Sequence, residues 1–222
     1  MKTNNRITEP VAVVSSFNKN TFHVICDHLG KKDQHLQSII NQYGYPPMWR
    51  RNNSFASLIH IILEQQVSLA SAKATFTRLK EKIGKITAQN LLKLSDEEMK
   101  ACYFSRQKTV YARHLAEAIL SRKITLTKLR QLPNEEIRTQ LKQVQGIGDW
   151  TVDIYLLFVL QRTDIFPHGD LAMMNALKEV KKQKTHVSKE DIIRLSANWR
   201  PYRSVATMLF WHYYIQKRNM RL

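Results

Sequence analysis

Apolar positions along this chain recur with the spacing of one helical face, and they rarely alternate as they would in a half-buried strand. In "SFASLIHIILEQ", Phe55, Leu58, Ile59 and Ile62 fall at i, i+3, i+4 and i+7, and Ser54 stands in place as an N-cap. "SLASAKATFTRLKEKIG" continues the pattern with Ala72, Phe76, Leu79 and Ile83, and Gly84 marks its C-terminal stop. Ser95 and Glu98 have the spacing of a capping box, Ser105 stands before "RQKTVYARHLAEAIL", and Pro133-Asn134 opens "NEEIRTQLKQV". "DWTVDIYLLFVLQ" is apolar on most of its surface, which predicts a central helix. "SKEDIIRLSANW" and "RPYRSVATMLFWHYYIQKR" complete the set, the last with Pro201 expected in its first turn. Nearer the N-terminus, "NTFHVICDHLG" and "DQHLQSIINQYG" each carry an apolar face, followed by the turn-rich "GYPPMWRRNN". "VAVV" at Val11 to Val14 is the one weak strand pattern. The expected fold is all-α, a compact bundle of short helices in two lobes, with the chain leaving one lobe after Gly44 and returning to it near the C-terminus.

Charge narrows the function classes. Lys and Arg number 35 against 18 acidic residues, a formal net charge of +17 spread along the chain. Such a field favours a polyanion, nucleic acid first, with RNA binding, attraction to a membrane surface and plain solubility as the other readings. No apolar run approaches the length of a membrane span, and the N-terminus lacks the apolar core of a leader peptide, so a cytoplasmic location and no membrane partner are expected. Cys26 and Cys102 lack the clustered spacing of a zinc site or an iron–sulfur loop and read as neutral, buried thiols. The basic run "KEVKKQK", Lys178 to Lys184, reads as a solvated face adding salt-dependent affinity.

Candidate chemistry begins at "VQGIGDWTVDIYLLF", where Val144 to Gly148 join two helical patterns as a helix–hairpin–helix. Gly146 and Gly148 permit backbone conformations closed to other residues, and the following helix presents unpaired N–H groups and a positive dipole end. That is a site for an anion, and on a basic protein a DNA phosphate is the natural one. Ile147 reads as an apolar plug. A plain helix connection with a glycine cap is the other reading of Gly-Ile-Gly. Downstream, the turn Phe166-Pro167-His168-Gly169 delivers Asp170 to the start of another helical run. Asp170 is an N-cap on one reading; beside a phosphate-binding hairpin it is also a candidate catalytic carboxylate. His168 has no partner at ligand spacing, so no catalytic metal is expected.

Taken together, "LIHIILEQQVSLASAKATFTRLKEKIG", "YFSRQKTVYARHLAEAI", "LKQVQGIGDWTVDIYLLF" through "FPHGDLAMMNAL", and "WRPYRSVATMLFWHYY" resemble, in order, the helix–hairpin–helix glycine-proline-aspartate (HhH-GPD) superfamily of DNA glycosylases, in particular the 3-methyladenine DNA glycosylase II type. The resemblance covers roughly Asp33 to Lys217 and implies an HhH-GPD domain over 35–222, with residues 1–34 packing on it. It implies a monofunctional DNA glycosylase hydrolysing the glycosidic bond of alkylated purines, such as 3-methyladenine and 7-methylguanine, in base excision repair. The partner is then double-stranded DNA in the nucleoid, engaged by a monomer.

By the same resemblance Asp170 takes the place of the essential aspartate. Strand-cleaving relatives carry a lysine two residues after the second hairpin glycine; here that residue is Trp150, so the amine for a Schiff base is missing. Trp150 and Trp211 match pocket aromatics that stack on the extruded base, with Tyr155 beside Ile154, which stands where an aromatic is usual. Gly146, Ile147, Gly148 and Thr151 form the DNA-binding hairpin, and Gln66, then Gln65, are the candidates for the wedge that fills the vacated stack. Arg106, Lys108 and Arg203 are expected to meet phosphates or support the site. Asp149 is an unexpected acid beside a phosphate site, harmless only if it caps the helix or turns away. No cofactor is implied beyond a monovalent cation, Na or K, held by hairpin backbone at Gln143, Gly146 and Gly148. A non-catalytic helix–hairpin–helix DNA-binding protein and a glycosylase for deaminated or oxidised bases are the alternatives.

Overall fold

A computed structural model describes residues 16–182 and 188–220. The "VAVV" pattern, residues 1–15 of the N-terminal segment and the end of the basic run at Gln183 and Lys184 lie outside the described residues. Asn18 and Thr21 form a capping box that opens α1 (Lys19–Lys32), and Asp33 ends α1 and begins α2 (Gln34–Tyr43). Ser54 accepts the Ser57 N–H to start α3 (Phe55–Glu64), and Ser68 likewise starts α4 (Leu69–Ile83), which Gly84 stops with a φ of 66°. Two short helices, α5 (Ala88–Leu92) and α6 (Asp96–Ala101), lead to α7 (Arg106–Leu120). The capping box of Ser95 and Glu98 is formed, and Ser105 caps α7. Then come α8 (Leu126–Leu129), α9 (Asn134–Leu141) and α10 (Asp149–Ile154). The last three elements are α11 (Leu171–Val180), α12 (Lys189–Ser196) and α13 (Arg203–Lys217).

Two corrections concern the helix pattern. The run predicted as one helix from Asp149 changes register after Ile154 and continues as a π turn over Tyr155–Val159. Gln161, with a φ of 54°, holds the end of that turn by donating to the carbonyls of Leu157 and Phe158. Pro201 lies before α13, not in its first turn: the peptide it makes with Arg200 is cis, and the helix begins at Arg203.

The elements divide as the chain order suggested. α1, α2, α11 and α13 pack on one another, with α12 joined through a short 3-10 turn at Ala197–Trp199. α3 packs on α4, α7 and α10, while α5 and α6 pack on α7 and α9 on α10. Among the described residues there is no strand, only an isolated bridge between Ser16 and Arg162. One apolar core runs through both groups, and each fully buried side chain such as Leu58, Ile62, Leu115 or Leu209 stabilises the fold by ~1.5–3 kcal/mol. α13 is buried at every position from Ser204 to His212, so it is as central as α10. Among the described residues no helix is long and apolar enough to cross a membrane.

Candidate active site

The loop entering α11 is stapled to the start of α13. Arg203 forks onto Asp164, with Nε 2.7 Å from Oδ1, and the Ile165 N–H donates to Ser204 Oγ at 2.9 Å. Within the loop, the His168 N–H reaches the Phe166 carbonyl and the Asp170 N–H reaches that of Pro167. This holds Asp170 as the N-cap of α11, its Oδ1 accepting the Met173 N–H at 2.8 Å. Two indoles converge on the same carboxylate: Trp211 Nε1 donates to Oδ1 and Trp150 Nε1 to Oδ2, each at 2.9 Å. Residues 150, 170 and 211, from three elements, therefore meet at one group. Trp150 is partly exposed, whereas Trp211 retains 8% of its surface.

Beside Trp211 runs a wall the sequence reading did not identify. Phe158, on the π turn, lies 5.2 Å from Trp211 between ring centroids, and Trp49 meets Phe158 edge-on at 6.4 Å. The Arg51 guanidinium sits 5.5 Å over Phe158 and forks onto Glu64, whose side chain is 9% exposed. Next in line, His60 stacks on Phe76 at 4.3 Å. Burial, with Arg51 nearby, pushes the His60 pKa below its ordinary value in spite of Glu64, so the ring is neutral at pH 7. Phe158 was hidden because the run around it is apolar on most of its surface, so no stripe singles it out. Leu171, 79% exposed directly after Asp170, had a signal: a large apolar residue at a helix start that no core position claims.

Of the two hairpin glycines Gly146 alone needs to be one: Gly148 is extended, with a φ of -101°, and has open space where a Cβ would stand. Gly146 has a φ of 91°, and a Cβ there would lie 2.1 Å from Cγ of Tyr111, whose ring packs against the backbone. Ile147 is buried, as an apolar plug should be, and exposed Gly148 N-caps α10 without any side-chain cap. Asp149 turns away to Lys142 Nζ at 2.9 Å and Arg138 at 3.1 Å, and these bonds hold its pKa below the ordinary aspartate value. Arg138 also donates to Asp153 at 2.6 Å, joining α9 to α10 across the hairpin.

Several expected site residues lie elsewhere. Tyr155 is completely buried and its hydroxyl donates to Asn53, so its ring belongs to the core and not to a base pocket. Thr151 is 2% exposed and its hydroxyl accepts from Gln65 Nε2, which also donates to the Gly146 carbonyl at 2.8 Å. Gln65 is thus the link between the end of α3 and the hairpin, and Thr151 faces inward instead of toward DNA. Gln66 is exposed in a left-handed conformation, φ 55°. Lys108 Nζ is engaged by the Leu63 carbonyl, and burial lowers its pKa; Arg203 is engaged by Asp164. Of the three basic candidates only Arg106 is exposed without an ion pair among the described residues. For the hairpin cation, the carbonyls of Gly146 and Gly148 each accept one hydrogen bond, from Gln65 and from the Val152 N–H, and each keeps a second lone pair, so with the Gln143 carbonyl they would hold such an ion; no step is routed through one. Among the described residues no three His, Cys, Asp or Glu side chains could share a metal ion.

A helix–hairpin–helix followed by a loop that presents an aspartate at a helix start defines the class: residues 59–201 match the model of the HhH-GPD superfamily of base excision DNA repair proteins, and the chain belongs to that family. Among curated relatives, DNA-3-methyladenine glycosylase 1 of Schizosaccharomyces pombe is 29% identical over 92% of this chain and 91% of its own length. The solved structure of that organism's 3-methyladenine DNA glycosylase Mag1 in complex with abasic DNA superposes with a TM-score of 0.77 at 27% identity, covering 88% of this chain and 97% of that one. A DNA-3-methyladenine glycosidase from Bacillus halodurans gives 0.71 at 26% identity, covering 92% and 94%.

Proposed function

We infer that this protein is a DNA glycosylase that hydrolyses the bond between an alkylated purine and deoxyribose, the first step of base excision repair. The observation that carries this reading is a single carboxylate, Asp170, fixed by two indoles beside the hairpin of a chain similar over nine-tenths of its length to a 3-methyladenine glycosylase. As the C1′–N bond breaks, its electron pair leaves with the base and positive charge develops on C1′ and O4′. A preorganised negative charge stabilises that transition state. Water then bonds to C1′ and its proton passes to solvent. A purine methylated at N3 or N7 carries a positive charge before cleavage and leaves neutral, so it needs no proton donor. One carboxylate is enough for such a substrate. Trp150 has no amine, which supports hydrolysis without strand cleavage. Trp150, which is partly exposed, suits stacking on an electron-poor base once it leaves the helix, with Gln66 filling the gap.

The test is release of free bases from methylated duplex DNA, resolved by chromatography. Release of 3-methyladenine or 7-methylguanine without strand cleavage is expected. Faster release of hypoxanthine, uracil or 8-oxoguanine from matched duplexes would overturn the lesion class, and DNA binding with no release of any base would overturn the enzyme reading.

A further inference from the structure

An ionised carboxylate offers about four lone-pair positions, two on each oxygen. At Asp170, Oδ1 accepts from the Met173 N–H and from Trp211 Nε1, and Oδ2 accepts from Trp150 Nε1. Oδ1 is filled, and Oδ2 keeps one open position. Both indoles are neutral donors, so they orient the group without cancelling its charge. We propose that Trp150 and Trp211 are positioning residues: through their indole N–H groups they hold the Asp170 carboxylate so that the open lone pair of Oδ2 faces the reacting sugar. The proposal rests on the glycosylase reading and adds to it a role for the two rings that stacking alone does not supply.

The geometry argues against stacking as their whole purpose. Each ring turns its N–H edge to the same carboxylate, and Trp211, with 8% of its surface left, already packs on Phe158. The two donors are also unequal. Trp211 shares Oδ1 with the Met173 N–H, so Oδ1 remains tethered if the indole bond is lost. Among the described residues Trp150 is the sole donor to Oδ2, the oxygen with the open position, so its loss leaves the reacting oxygen undirected and open to water.

Replacing the indole with 3-benzothienylalanine keeps the shape and stacking surface of tryptophan and removes the N–H. Full-length protein carrying this residue at position 150, and separately at 211, would be compared with wild type for single-turnover release of 7-methylguanine from a duplex. Affinity for a duplex with a tetrahydrofuran abasic analogue would be measured in parallel. A hydrogen bond to a charged group sets the scale: the rate should fall about 10- to 100-fold at position 150 and less at 211, while affinity for the abasic duplex changes by less than about twofold. An unchanged rate at 150, or a loss carried wholly by affinity, would overturn the proposal while leaving the glycosylase reading intact. A wild type that releases no base from methylated DNA would overturn both. Independently of activity, the ¹H–¹⁵N indole resonances of Trp150 and Trp211 should both move in Asp170→Leu, and resonances that stay in place would show that the clamp does not form.

Discussion

Asp33 and Asp170 each N-cap a helix and each accept a backbone N–H and an indole N–H: those of His35 and Trp199 at Asp33, those of Met173 and Trp211 at Asp170. They differ in the remaining donor. At Asp33 it is the ammonium of Lys181, 2.6 Å from Oδ2, with both side chains nearly buried. At Asp170 it is a second indole, and among the described residues no Lys, Arg or His forms an ion pair with the carboxylate. A cation neutralises Asp33 and makes that group a joint between α1, α2 and α11. Neutral donors leave the charge of Asp170 uncancelled and available to a developing sugar cation. A helix-start aspartate is therefore judged by whether its partners cancel its charge, more than by how many it has.

Asp170→Asn tests the uncancelled charge and should have the largest effect. Single-turnover base release is expected to fall about 10²–10³-fold, the scale for loss of one preorganised electrostatic group, with DNA affinity retained. The amide nitrogen of the asparagine takes the place of one acceptor oxygen and meets an N–H donor, so a small fall in the thermal midpoint is expected. Retained turnover would remove Asp170 from the chemistry. Lys181→Met makes the converse change by leaving Asp33 with neutral donors only. It should cost about 2–3 kcal/mol in urea unfolding, since a nearly buried carboxylate loses its counter-ion. Base release per folded molecule should be unchanged, and equal loss of stability and turnover would mean that Asp33 also serves the site.

The comparison also separates what the sequence makes legible from what it conceals. The hairpin is contiguous, so Gly146 announces its positive φ and Ile147 its burial within one short stretch, whereas Gly148 proves to be ordinary extended backbone, and the caps at Ser54, Ser95 and Ser105 follow from local spacing. The carboxylate at Asp170 was visible by its loop and by family resemblance. Its holders were visible as residues but not as donors: residues 150, 170 and 211 meet only through tertiary packing, and an indole edge cannot be told from an indole face in a sequence. Tyr155 misled because it adjoins Ile154, which stands where an aromatic is usual in the family, whereas its ring is buried in the core and its hydroxyl donates to Asn53. Thr151 and Gln65 misled for a related reason, since polar residues beside a DNA-binding motif can face each other. Phe158, Arg51 and Glu64 carried no local pattern that would join them.

A third aspartate sharpens the contrast. Asp153 is 4% exposed, and burial pushes its pKa above the ordinary value although Arg138 donates to it at 2.6 Å. Arg138→Gln should therefore destabilise the fold by about 2 kcal/mol at pH 7, because the carboxylate loses the guanidinium that pairs with it. A raised pKa means the folded state holds the proton more tightly than the unfolded one, so this group favours folding at low pH and opposes it as pH rises through its folded pKa. The deficit of the variant should shrink on acidification, as Asp153 takes up a proton and no longer needs a counter-ion. A deficit that grows toward acid pH in urea titrations would mean that Arg138 acts mainly through exposed Asp149.

The smallest effect belongs to Asp33→Asn, and it should have the opposite dependence on pH. Burial pushes the Asp33 pKa up, but bonds from Lys181 and Trp199 outweigh it and hold the group below the ordinary value of 3.8. A lowered pKa contributes stability that is present above the unfolded value and is lost as pH falls through the folded one. The asparagine keeps one acceptor oxygen, enough for the His35 N–H or for the indole but not for both, and loses the charge, so the loss at pH 7 should be about 1–2 kcal/mol, the worth of a charge-assisted bond. Wild type and variant should converge below the ordinary carboxylate range, while base release at pH 7 stays the same. Urea unfolding at neutral and acid pH measures this convergence. A gap that persists at acid pH would assign the role of Asp33 to the shape of its cap, and would weaken the distinction between an aspartate whose charge is cancelled and one whose charge is kept for the substrate.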